Sequence, residues 1–344
     1  MKAVVAGWFS YSNGHATAGD LLACDLLCDW LDEWGMPFEI AVAPPFRNGT
    51  SLESLKPAEF SHAFFVCGPF GKGELEGDFL RRFEHCRLIG VNLSAKLPPP
   101  LWNPFDCLIE RDSSETTRAD MVFAARQPLT PVGGICLLES NPEVHVDRAN
   151  AAIAALASRH EIAWINIDTR LDQNASGLRT KGEIEAVIAR MDVLITTRLH
   201  GLVLALKNGV PVVAIDAVPG GGKITRQCAR TGWPTVFSAE ALEEAVLDEA
   251  LRSVLTPEAR ALASRCAEVA RLDVIDLHER LTAALAPGGP VERNHVNRQT
   301  PAGRDRFAAN LPAPLSYADS GGFSLRGLVD LVRRSLKGDS AGGS

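Results

Sequence analysis

The chain has 344 residues, 46% hydrophobic and 22% charged, with a formal charge of -7. That usage is ordinary for a soluble globular protein, and the length suits two domains. The negative balance argues against a nucleic-acid partner, which would draw its affinity from Lys and Arg displacing counterions. A local basic pocket for one small anion stays compatible with it.

The opening residues Met1-Lys2-Ala3-Val4-Val5-Ala6-Gly7 run straight into a strand-and-turn pattern. With no charged leader, cleavage site or apolar stretch of the ~20 residues that cross a bilayer, the expected location is cytoplasmic. The eight cysteines are scattered without any Cys-x-x-Cys pair. They read as buried reduced thiols rather than a disulfide framework or a zinc site, and neither a metal nor a bound cofactor is expected.

Short apolar runs bounded by turn residues predict strands at 3–6, 39–43, 63–67, 88–93 and 107–110, with a one-faced helix over 21–31. Strand and helix alternate as in a parallel doubly wound sheet. The stretch Gln127-Pro128-Leu129-Thr130-Pro131 breaks the pattern and predicts a domain boundary, the first domain ending at 128. A second series follows over 129–255: strands at 135–138, 162–167, 192–197 and 210–215, and helices at 149–159, 181–189 and 200–208. Two α/β domains in tandem imply a cleft between them. Thr180 and Glu183 have capping-box spacing, Gly209 marks a helix end, and Thr256-Pro257 opens a long helix to about 286 within a 256–290 segment.

Beyond it, 291–344 turns rich in Pro, Gly, Asn and Arg and reads as a loose tail. Within the tail Leu325, Leu328, Val329, Val332 and Leu336 share a helical face among Arg326, Arg333, Arg334 and Lys337. Such a basic amphipathic helix over 324–337 suits weak contact with the inner face of a membrane, or docking back onto the protein body.

The strongest local pattern is Asp192-Val193-Leu194-Ile195-Thr196-Thr197-Arg198-Leu199-His200-Gly201, where a buried strand gives way to a helix within three residues. In open α/β sheets ligands bind beyond the carboxyl ends of the strands, and a helix N-terminus there favours an anion. Arg198 offers a planar fork to a carboxylate or phosphate and His200 a proton near neutrality. The competing reading has Arg198 capping a turn or pairing with a carboxylate, and His200 serving as a helix N-cap.

Downstream, the strand ending in Asp216 leads to Pro219-Gly220-Gly221-Gly222-Lys223, a loop whose glycines permit close backbone approach and whose lysine adds a point charge. It lacks the P-loop pattern. In the first half, Asn13 lies in a loop that ends in Gly19-Asp20 at a helix start, where Asp20 is either a cap or an acceptor for a substrate hydroxyl. Cys67-Gly68-Pro69 and Glu110-Arg111-Asp112-Ser113-Ser114 close two further strands. Arg111 is the better anion candidate there, with an Arg111–Asp112 contact as its structural alternative.

The stretch from Asp192 to Asp216, with its Arg-Leu-His-Gly core, closely resembles the C-terminal hallmark of the polysaccharide pyruvyl transferase family. Weaker matches follow the family's order: Gly19-Asp20, Cys67-Gly68-Pro69 and Glu110-Arg111-Asp112. The family's compact Asn-x-Gly-Asp loop is interrupted here by an insertion containing His15 between Asn13 and Gly19. The resemblance implies two Rossmann-like domains facing a cleft, similar to GT-B glycosyltransferases, the first on the acceptor side and the second on the donor side. It implies transfer of pyruvate from phosphoenolpyruvate onto two hydroxyls of a sugar as a ketal. His200 is then the acid/base, Arg198 a holder of phosphoenolpyruvate and Asp20 a third catalytic residue. Arg111, Lys223, Asn13, Gly201, Gly221 and Gly222 complete the substrate-binding set. Two further readings are a glycosyltransferase holding a nucleotide sugar at Gly220–Gly222, and a non-catalytic sugar- or partner-binding member that uses its tail as an arm.

Overall fold

The computed structural model describes residues 1–113, 117–139 and 145–285. Ser114, the residues from Pro287 on and the expected helix at 324–337 lie outside them. The chain divides into two compact units, Met1–Pro128 and one beginning at Leu129.

The first unit runs β1 (Ala3–Ala6), α1 (Ala18–Glu33), β2 (Phe38–Ile40), β3 (His62–Phe70), α2 (Glu74–Arg82), β4 (Arg87–Ala95) and β5 (Cys107–Glu110). Its parallel sheet has the order β2-β1-β3-β4-β5. All four residues of β1 are buried, as expected for a strand covered on both faces. On one face the Phe65 ring meets Phe70 and Phe79 edge-on, at centroid distances of 4.8 and 5.2 Å. The strand expected at 39–43 ends sooner, because only Phe38–Ile40 pair with β1 before Ala41 turns to an isolated bridge with Thr50. Helix α2 was not foreseen. Its sequence is mostly charged and buries only Glu76 and Phe79, so almost no apolar period announces it.

The second unit runs β6 (Val132–Cys136), α3 (Val146–Arg159), β7 (Ala163–Asn166), α4 (Lys181–Ile188), β8 (Val193–Thr196), α5 (Leu199–Lys207), β9 (Val212–Asp216), α6 (Lys223–Thr231), β10 (Val236–Ser238), α7 (Glu244–Val254) and α8 (Pro257–Leu285). The parallel sheet order is β10-β9-β8-β6-β7. The capping box at α4 is formed: the Glu183 amide donates to Thr180 Oγ1 at 3.2 Å and the Thr180 amide to Glu183 Oε2 at 3.1 Å. Helix α8 belongs to this unit, since Ala259, Leu262, Ala263 and Cys266 are buried and the helix packs on α5, α6 and α7. All eight cysteines are free, and all but Cys107 are buried. No described helix is long and apolar enough to cross a membrane.

Read from their first strands, the two sheets share one order. The second strand lies on one side of the first, and the third, fourth and fifth follow on the other. Connections therefore leave the first and third strands in opposite directions, which opens a crevice at their carboxyl ends. That crevice lies between β1 and β3 in one unit and between β6 and β8 in the other.

Candidate active site

Strand β8 is buried throughout and delivers Thr197 and Arg198 to its carboxyl edge, Arg198 standing as the N-cap residue of α5 with extended backbone. The buried Thr196 hydroxyl sets this strand-to-helix turn. It accepts from the Arg198 amide at 2.9 Å and donates to the Cys136 carbonyl of β6 at 2.8 Å. Gly201 is buried against the same atoms, and a Cβ there would collide with Thr196 Oγ1 and lie 3.0 Å from Cys136 Sγ. The missing side chain lets α5 seat directly on the sheet.

The Arg198 side chain is only 11% exposed. Its Nε donates to the Leu137 carbonyl, and Nη2 reaches Glu139 Oε1 at 2.8 Å and Asp168 Oδ1 at 3.5 Å. Leu137 and Glu139 follow β6, and Asp168 follows β7. The guanidinium thus lies at the crevice expected from the strand order, with carboxylates already beside it. The pairing alternative for Arg198 describes these contacts. His200 is the second residue of α5, not its N-cap; it is exposed and makes no hydrogen bond or ion pair among the described residues.

The loop after β9 is organised from within. Asp216 is 3% exposed, and its Oδ2 accepts from the Gly222 amide at 2.7 Å, the Thr225 amide at 2.9 Å and the Thr225 hydroxyl at 2.8 Å. Its Oδ1 accepts from the Val218 amide at 3.2 Å. Two amides at the start of α6, those of Gly222 and Thr225, are therefore engaged by an internal carboxylate. Gly220 and Gly221 adopt φ of +71° and +89°, conformations that suit glycine. Lys223 opens α6 and is exposed.

In the first unit, Asp20 Oδ2 accepts from the Thr17 amide and hydroxyl, both at 2.7 Å, which is the capping role. Its other oxygen lies 3.4 Å from where a Cβ on Gly68 would stand, and Trp8 Cδ1 lies 2.5 Å from that point. Trp8 and Asp20 therefore both pack close to Gly68 at the end of β3, where a side chain would have no room. Backbone strain gathers there: Cys67 and Asn92 have φ of +64° and +56°, and such strain clusters at functional sites. Burial, with Asp20 next, pushes the Cys67 thiol up to about 11. Asn13 is exposed in the preceding loop.

Arg111 is held by its neighbours: Nε donates to Asp112 at 2.8 Å, Nη1 to Asp120 at 2.7 Å and Nη2 to Ser94 Oγ at 2.8 Å. Two carboxylates thus offset its charge, and a strand-end brace accounts for these contacts. The Ser94 hydroxyl, and then Arg111, hold the Asp112 carboxyl below its ordinary 3.8. A depressed carboxyl contributes stability above its unfolded value and loses it as pH falls through the folded one. The melting temperature should therefore drop more steeply below about pH 4 in the native protein than in Asp112→Asn, as an acid titration would read; parallel curves would assign the acid sensitivity elsewhere.

Glu139, Asp168 and Arg170 were not singled out from the sequence. The available signal was the run Asp168-Thr169-Arg170-Leu171-Asp172 directly after a strand, with polar residues at alternate positions.

The family model for polysaccharide pyruvyl transferase matches residues 182–217, the stretch holding Arg198, His200 and Asp216. No curated protein matches the chain by sequence. Among solved structures the chain is similar to spinosyn rhamnosyltransferase SpnG, at 13% identity over 80% of this chain and 100% of that one, TM-score 0.30. It is similar also to the glycosyltransferase SnogD from Streptomyces nogalater, at 12% identity over 80% and 99%, TM-score 0.22. A third is UDP-GlcNAc 2-epimerase from Neisseria meningitidis bound to UDP-GlcNAc, at 10% over 81% and 100%, TM-score 0.28.

Proposed function

We propose that this chain is a polysaccharide pyruvyl transferase-like enzyme that moves pyruvate from phosphoenolpyruvate onto two hydroxyls of a sugar. The observation that carries the reading is the Arg198-Leu199-His200-Gly201 turn at the crevice of the second sheet, inside the stretch matched by that family's model. An arginine that binds carboxylates beside an exposed, uncommitted imidazole suits an anionic donor that must be protonated.

In this reaction His200 gives a proton to the methylene carbon of phosphoenolpyruvate. A sugar hydroxyl attacks the neighbouring carbon as positive character develops there, and its proton passes to a base. A second hydroxyl then forms the other C–O bond as the phosphate C–O bond breaks, and its proton leaves with phosphate. Arg198 offsets the donor's negative charge throughout. A cytoplasmic location fits a donor of central metabolism. The nucleotide-sugar reading draws less support, because Asp216 already takes the Gly222 and Thr225 amides beside the glycine loop.

The test is a melting scan with phosphoenolpyruvate and, separately, nucleoside diphosphates. A ligand at a hundredfold its Kd stabilises by about 2.7 kcal/mol, a rise of roughly 5–10 °C for a domain of this size. Phosphoenolpyruvate should give that rise. A shift with nucleotide alone would replace the proposal with glycosyl transfer.

A further inference from the structure

Arg198 is not alone at its crevice. Arg170 stands on the loop after β7, and its Nη1 donates at 3.2 Å to Glu139 Oε1, the same oxygen that Arg198 Nη2 holds at 2.8 Å. Two guanidinium groups from different loops thus converge on one carboxylate oxygen. The Glu139 side chain is 59% exposed, and exposed ion pairs are held weakly.

The loop that presents Arg170 is stiffly built. The Arg170 amide donates to Asp168 Oδ1 at 2.9 Å, the Ala175 amide to Asp168 Oδ2 at 3.1 Å, and Asn174 Nδ2 to the Arg170 carbonyl at 2.6 Å. Asp172 takes Nε at 3.0 Å and Nη2 at 2.5 Å, which leaves Nη1 for the oxygen shared with Arg198. Asp168 faces both arginines, through Arg198 Nη2 at 3.5 Å and the Arg170 amide. A planar donor on each side of a weakly held carboxylate is the arrangement that recognises a carboxylate or phosphate ligand.

We infer that Arg170 and Arg198 form a two-arginine clamp for the carboxylate of the donor, and that Glu139 occupies its place until phosphoenolpyruvate displaces it. The inference rests on the donor reading above and adds Arg170 as a binding residue and Glu139 as an internal competitor. Binding needs Glu139, three residues beyond β6, to swing out, while Arg198 stays held by the Leu137 carbonyl and Asp168.

Calorimetric titration of phosphoenolpyruvate into the native protein, Arg170→Gln and Glu139→Gln tests it. Losing a hydrogen bond to a charged group should weaken binding by roughly 10- to 100-fold in Arg170→Gln, whereas Glu139→Gln, which removes the competing charge at constant shape, should bind several-fold tighter. Ligand-free melting of each variant reads folding separately; should Arg170→Gln fail to fold, Glu139→Gln decides alone. Unchanged affinity in the variants, with the native protein binding phosphoenolpyruvate, overturns the clamp and leaves the donor reading intact. No binding by either the native protein or Glu139→Gln overturns the donor reading, and the clamp with it.

Discussion

Replacing His200 with alanine should lower turnover by about 10²–10⁴-fold, the usual effect of a lost acid/base group, while the melting temperature stays where it was. The second half follows from the surroundings: His200 is exposed on the first turn of α5 and bonds to no described residue. Surface substitutions of that kind usually change stability by no more than about 0.5 kcal/mol, and alanine is the better helix former. The first half follows from the chemistry, because protonating the donor's methylene carbon needs a positioned acid, and His200 stands two residues from Arg198 with no partner among the described residues. Steady-state rates beside a melting curve separate the two. Near-native turnover with an unchanged melt would move the acid to another residue.

Asp216→Ala should act in the opposite way, through stability. The carboxylate is buried and gathers the amides of Val218, Gly222 and Thr225 with the Thr225 hydroxyl. Alanine would leave those donors without their acceptor at the start of α6, and each buried group left unpaired costs about 1–3 kcal/mol. Water entering at Val218 softens the sum, so a loss of about 2–4 kcal/mol is expected, or roughly 5–15 °C in melting temperature. Asp216→Asn keeps an acceptor oxygen and should lose less. A melting temperature unchanged in Asp216→Ala would mean that the packing of Ile224 and Cys228 alone seats α6.

The second effect bears on the nucleotide-sugar alternative. A glycine-rich loop after a strand reads in sequence as an open phosphate cradle. The Gly222 amide points inward here, because an aspartate six residues upstream reaches back across the turn. Spacing along the chain does not reveal whether a carboxylate folds into a loop or leaves it free.

What the sequence by itself determined is what local burial encodes. Strands β1 and β5 match their apolar runs at 3–6 and 107–110, and the chain divides after Pro128, where the Pro-rich break lies. Apolar stretches bounded by turn residues have few alternatives to a buried strand, and a strand passing into a helix within three residues puts Arg198 at a sheet edge whatever surrounds it. Short or charge-rich elements escaped for the same reason in reverse: α2 hangs on Phe79, and β10 has three half-buried residues. Only the tertiary structure decided which partners Arg198 meets. Glu139 and Asp168 lie 59 and 30 residues from it, and they converge because β6 pairs with both β7 and β8 and all three strands end on one side. That order is set by the packing of whole helices on the sheet, a non-local balance that no window of sequence contains.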